Sequence, residues 1–121
     1  MMKSKMIDII TDSTRLILEK QPTAGHDITH TLRVRELCLH IGHIEGGNPE
    51  ILEASALLHD IGRPAEIQKP GVDHAAVSAG LAQDILKDTG FPDDKIPSVI
   101  YAIENHIDQF VNEINFKGVI P

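Results

Sequence analysis

Seven histidines occur in this 121-residue chain, and four of them are spaced as if to meet. His30, His59, His74 and His106 each fall on the apolar stripe of a different helical segment. A single histidine on such a stripe is ordinarily a core residue with one satisfied hydrogen bond. Four together are costly in an aliphatic interior unless they share a partner, because buried polar groups without partners lose free energy. Imidazoles that converge with a carboxylate suit a divalent transition metal such as manganese, iron, nickel, cobalt or zinc, with magnesium a further option and one or two ions accommodated.

The carboxylate stands in the stretch LLHDIGR, Leu57 to Arg63. Adjacent residues on a helix project about 100° apart, so His59 and Asp60 reach one ion only where the helix ends. Gly62 fits a left-handed C-cap there, and Pro64 opposes continuation of the helix. A helix C-terminus carries partial negative charge, which makes Asp60 unfavourable at that point unless a cation is bound. The same carboxylate could bridge two ions.

Helices must position these groups. Met6, Ile9, Ile10, Ser13, Leu16 and Ile17 follow the three-four spacing of one helix face, ended by Gln21 and Pro22. A second helix is predicted from Ile28 to Ile44, with His30, Val34, Leu37 and Ile41 on one face. Gly46 and Gly47 break it, Asn48 reads as an N-cap and Pro49 as the first residue of a third helix that runs to His59 or Asp60. Leu52, Ser55 or Ala56, and His59 line its stripe. Asp73 is suited to cap a fourth helix carrying His74, Val77, Leu81 and Ile85, closed by Gly90. Phe91 to Asp94 opens a fifth, with Val99, Ile103, His106 and Phe110 on one face. Period-two alternation is absent throughout, so the expectation is an all-α domain of about five helices spanning residues 1–121.

Composition narrows the function. Hydrophobic residues make up 41% of the chain and aromatic residues 3%, which implies a real but aliphatic core. The net charge of -7, from 11 basic and 18 acidic side chains, argues against a nucleic-acid polymer as the main partner. A phosphorylated small molecule is compatible with it, since a bound metal reverses the local charge. The single cysteine, Cys38, permits no internal disulfide and reads as a buried, inert thiol. A signal peptide and a membrane-spanning stretch are both missing from the pattern, and a cytoplasmic chain without membrane partners is expected.

The stretch H-D-x-x-H-x-x-R-V at His26 to Val34, followed by L-L-H-D-I-G at Leu57 to Gly62, resembles the HD-domain superfamily of metal-dependent phosphohydrolases, in its small single-domain branch. The likeness covers about residues 20 to 107, with motifs inside 26 to 107. It implies an all-helical fold, a metal-dependent hydrolase and a phosphate-ester substrate such as a nucleotide or small metabolite. Residue by residue, His30 matches the first metal-binding histidine, and His59 with Asp60 matches the doublet that names the family. His74 and His106 lie where members carry further histidines that bind a second metal or contact phosphate, and either could act as the general acid. Arg33 matches a basic residue that holds phosphate or structure. His26 and Asp27 either cap the helix or support the site, and His40 and His43 read as surface residues.

The pattern departs from the superfamily in one respect. The aspartate that closes the site in close relatives falls in a short acidic stretch well beyond His106, and this sequence has none before Pro121. Asp108 projects to the other side of a helix from His106, and Glu104 and Glu113 are weaker substitutes. A truncated domain, a ligand supplied by a partner copy, or incomplete metal binding would each account for this. The apolar tail Ile114 to Pro121 could pack against another copy and give a homo-oligomer. Alternative readings are a non-catalytic or degenerate module that binds metal or nucleotide, a di-iron oxygenase of the same superfamily, and a helical interaction protein.

Overall fold

The computed structural model describes residues 2–20, 27–46 and 48–105. Six helices follow in chain order: α1 (Met2–Lys20), α2 (Ile28–Glu45), α3 (Pro49–Leu58), α4 (Arg63–Gln68), α5 (His74–Thr89) and α6 (Ile96–Asn105). No strand occurs among the described residues, so the all-α expectation holds. The helix beyond the expected five is α4, only six residues long. Pro64, expected to oppose further helix, instead lies in its first turn, where a missing N–H costs nothing.

α3 is the centre of the molecule and packs against α1, α2, α5 and α6. Its last five residues, Ala54 to Leu58, are all buried. A helix end buried on every side needs neighbours on every side, and the four surrounding helices provide them. The main core joins Ile10 of α1, Leu57 and Leu58 of α3, Leu86 of α5, and Val99 and Ile103 of α6. A smaller cluster of Val34, Leu37, Cys38 and Ala56 seals α2 onto α3.

Local chemistry sets the helix ends much as the sequence implies. The Asp27 carboxylate accepts from the His30 N–H at 2.9 Å and starts α2 one turn before its histidine. The Asn48 side chain accepts from the Ile51 N–H, with Pro49 next in line. Asp73 accepts from the Ala75 N–H at the start of α5, and Gly90 closes that helix at φ +78°.

Two helix faces differ from expectation. In α1 the buried stripe is Met6, Ile10, Thr14 and Leu18, leaving Ile9 and Leu16 exposed. Thr14 is turned inward because its hydroxyl donates to the Leu57 carbonyl at 3.2 Å, satisfying a carbonyl at the end of α3. In α5 the buried residues are Ser78, Ala79, Ala82 and Leu86, while Leu81 is exposed and His74, Val77 and Ile85 are half-buried. Small side chains face inward there because α5 comes close to the backbone after α3.

Candidate metal centre

The turn after α3 carries the doublet. α3 ends at Leu58, and His59 follows as its C-cap with helical φ and ψ. The His59 ring folds back on its own helix, with Nδ1 2.6 Å from the Ala56 carbonyl oxygen. A carbonyl only accepts, so Nδ1 carries a proton, and in a neutral ring Nε2 is then the nitrogen that presents its lone pair. That nitrogen lies 3.3 Å from Asp60 Oδ2. Across the interface, α2 brings His30 Nε2 to within 3.5 Å of the same oxygen. The two imidazoles stand 5.9 Å apart, centroid to centroid, inclined at 52°.

His59 and Asp60 are 2% and 1% exposed, while His30 is half-buried and forms the open side of the cluster. An acceptor nitrogen and a carboxylate oxygen at 3.3 Å repel each other unless a proton or a cation lies between them. Ligand atoms about 2.1 Å from one ion at a tetrahedral angle are about 3.4 Å apart. The two separations at Asp60 Oδ2 match that spacing. The ligand atoms of His30, His59 and Asp60 all lie within 4.8 Å of one another, and this is the one such group of three among the described residues. Two nitrogens and one oxygen form a donor set for a divalent transition ion, so the residues fit the metal that the sequence implies.

Gly62 does not have the left-handed conformation expected of it, since its φ is -85°. A glycine is required for another reason. A Cβ at this position would collide with the His74 carbonyl oxygen and lie 2.7 Å from the Ser78 nitrogen and 2.8 Å from its hydroxyl. The space is used instead for a hydrogen bond, from the Gly62 N–H to Ser78 Oγ at 2.8 Å. This contact fastens the turn bearing the doublet to α5.

Beyond Asp60 a second line of polar groups continues. Arg63 Nε donates to Asp60 Oδ1 at 3.2 Å, and its Nη1 approaches Glu66 Oε1 at 3.5 Å. Glu66 Oε2 in turn lies 3.1 Å from His74 Nδ1. His74 therefore belongs to a line of polar contacts with Glu66 and Arg63, and stands outside the three-residue group of His30, His59 and Asp60. Arg33 is exposed on α2, as are His40 and His43. His106, Asp108, Glu113, His26 and the tail lie outside the described residues. Arg63 and Glu66 were missed by sequence reasoning. Their signal was present: they follow Asp60 at three-residue steps across a turn, the spacing that places side chains on one face. Cys38 is buried, and burial pushes its thiol up to about 11, as befits an inert thiol.

A helical bundle that closes around two imidazoles and a buried carboxylate is a helical domain with a candidate metal site. The comparisons with known proteins agree. The family model of the HD domain matches residues 27–118, and the chain belongs to that family. The crystal structure of a predicted HD superfamily hydrolase from an uncultured Thermotogales bacterium superimposes with a TM-score of 0.71 at 34% identity, covering 85% of this chain and 56% of that one. A tRNA (cytidine(56)-2'-O)-methyltransferase from Thermoplasma volcanium is 35% identical over 107 residues, which are 87% of this chain and 28% of the relative. The chain thus spans about half of the solved relative and under a third of the curated one. No described helix is long and apolar enough to cross a membrane.

Proposed function

We propose that the chain is a metal-dependent phosphohydrolase acting on the phosphate ester of a nucleotide or another small metabolite. The observation that carries this reading is the convergence of His30 and His59 on one oxygen of a buried Asp60. When bound, a divalent transition ion supplies Lewis acidity toward water and toward a phosphoryl oxygen. His30, His59 and Asp60 would hold it. The Ala56 carbonyl keeps the His59 ring in the tautomer that leaves Nε2 for the ion. The Arg63 guanidinium places a permanent positive charge beside Asp60, where charge on a phosphoryl group would be neutralised. His74, oriented by Glu66, and His106 are assigned to the phosphate or to the leaving oxygen, and Arg33 to the approach of an anionic substrate.

The Thermotogales structure supports the hydrolase class by its name and its similarity. A second reading, a metal- or nucleotide-binding module without turnover, draws on the methyltransferase relative, in which the related segment is 28% of a longer chain. Release of inorganic phosphate from a panel of nucleotides and sugar phosphates, with the protein loaded in turn with manganese, cobalt, nickel, iron, zinc and magnesium, separates the two. Turnover by the wild type that disappears in Asp60→Ala is the expected result. A fully loaded wild type that cleaves nothing on the panel would favour the module.

A further inference from the structure

We propose that the Arg63 guanidinium fills the place of a second cation, so that the centre takes one metal ion per chain. This rests on the metal-site reading above and concerns how many ions that site admits. The two oxygens of Asp60 have different company. Oδ2 faces His30 and His59, whereas Oδ1 is 3.2 Å from Arg63 Nε. On the Oδ1 side further donors follow one another around the guanidinium, spread more widely than the group of His30, His59 and Asp60: Asp60 itself, Glu66 with Oε1 at 3.5 Å from Arg63 Nη1, and His74 with Nδ1 at 3.1 Å from Glu66 Oε2. Two carboxylates and an imidazole are the donors that a divalent transition ion takes. Here an organic cation stands among them.

The guanidinium is held there from several directions. The Arg63 backbone N–H donates to the Asp60 carbonyl oxygen at 3.0 Å, so main chain and side chain both lean on the same residue. Arg63 opens α4 with Pro64 beside it, and Gly62 ties the turn to Ser78 of α5. Glu66 lies one turn along α4, with Oε1 3.5 Å from the guanidinium Nη1. Arginine stays protonated at every working pH, so the positive charge is permanent. A second divalent ion on Oδ1 would have to sit directly against that charge, and like charges at such short range repel each other. Asp60 accordingly serves one ion through Oδ2 and does not bridge two.

The test is titration of the metal-stripped full chain with Mn2+, followed by calorimetry and by electron paramagnetic resonance. The wild type is expected to take one ion per chain and give the spectrum of an isolated Mn2+. Arg63→Ala is expected to take two and show exchange coupling between them, and Arg63→Ala with His74→Ala to return to one. Arg63→Lys keeps a cation in place and should stay at one. If Arg63→Ala loses its helical circular dichroism, Arg63→Gln, uncharged and still polar, is read in its place. A wild type that binds two ions, or a folded uncharged variant that still binds one, overturns the proposal. A wild type that binds no Mn2+, or a His59→Ala variant that binds it as the wild type does, removes instead the metal-site reading on which the proposal rests.

Discussion

The two ends of α3 use polar residues in opposite ways. At the N-terminal end, Asn48 is exposed and makes one hydrogen bond to the Ile51 N–H, with Pro49 behind it. This is ordinary capping, and water could replace most of it. At the C-terminal end the polar residues are buried, with His59 and Asp60 both nearly inaccessible. The terminal carbonyls there are satisfied from three sources: the His59 ring for Ala56, the Thr14 hydroxyl for Leu57 and the Ile61 N–H for Leu58. None of these needs Asp60. The buried Asp60 carboxylate instead faces two imidazoles and a guanidinium. Polar residues at a helix end are structural where water reaches them, and they ask for a functional explanation where it does not.

The largest effect that would break this contrast is at Asp60. Asp60→Ala should take metal content from near one ion per chain to background by elemental mass spectrometry, with helical circular dichroism largely retained. In the wild type, metal at one hundred times its dissociation constant should add about 2.7 kcal/mol to unfolding stability, and in the variant nothing. An Asp60→Ala protein that stays fully loaded would remove the distinction between the two ends.

Gly62→Ala tests the packing that holds the buried end in place. The new methyl group meets backbone atoms of His74 and Ser78, which have no rotamer by which to move aside. Urea denaturation should show a loss of about 3 kcal/mol, the upper range for overpacking. Unchanged stability would mean that α5 does not press on the turn as described.

At the exposed end the effects are smaller and of another kind. Asn48→Ala should lower stability by about 1 kcal/mol, the usual cost of a lost N-cap, and leave metal content alone. A loss of metal in this variant would show that the two ends are coupled through α3. Smallest of all, His40→Ala, on the exposed face of α2, should change stability by less than about 0.5 kcal/mol and metal content not at all.

Much of the architecture follows from local rules, and those rules are visible in residue order. Asp27, Asn48 and Asp73 cap helices because a short side-chain acceptor reaches the next N–H groups wherever the chain turns into a helix. Gly46 and Gly90 adopt positive φ where helices close, at +85° and +78°. The doublet His59-Asp60 and its approach from His30 were legible because both histidines fall on inward helix stripes and the two motifs resemble those of the HD domain. Which face of a helix is buried is a different matter. Ile9 and Leu16 have the spacing of a core stripe and lie in solvent, because the hydroxyl of Thr14 is drawn in to a carbonyl of α3 and turns α1 with it. Val77 and Leu81 yield the interior to Ser78, Ala79 and Ala82, because α5 must come close enough for Ser78 to bond the backbone of Gly62.

By itself, then, the sequence determined an all-helical HD-family chain, its N-caps, the glycine stops at Gly46 and Gly90, and five candidate ligands of which three converge at the end of α3. The tertiary structure decided how the polar groups beyond them are shared. It gave His74 to Glu66, placed Arg63 on Asp60 and assigned the two oxygens of that carboxylate to different partners. The reason is physical. Capping and periodicity act within a few residues, whereas the partner of a side chain depends on the distance between helices, which side-chain volumes at remote positions set.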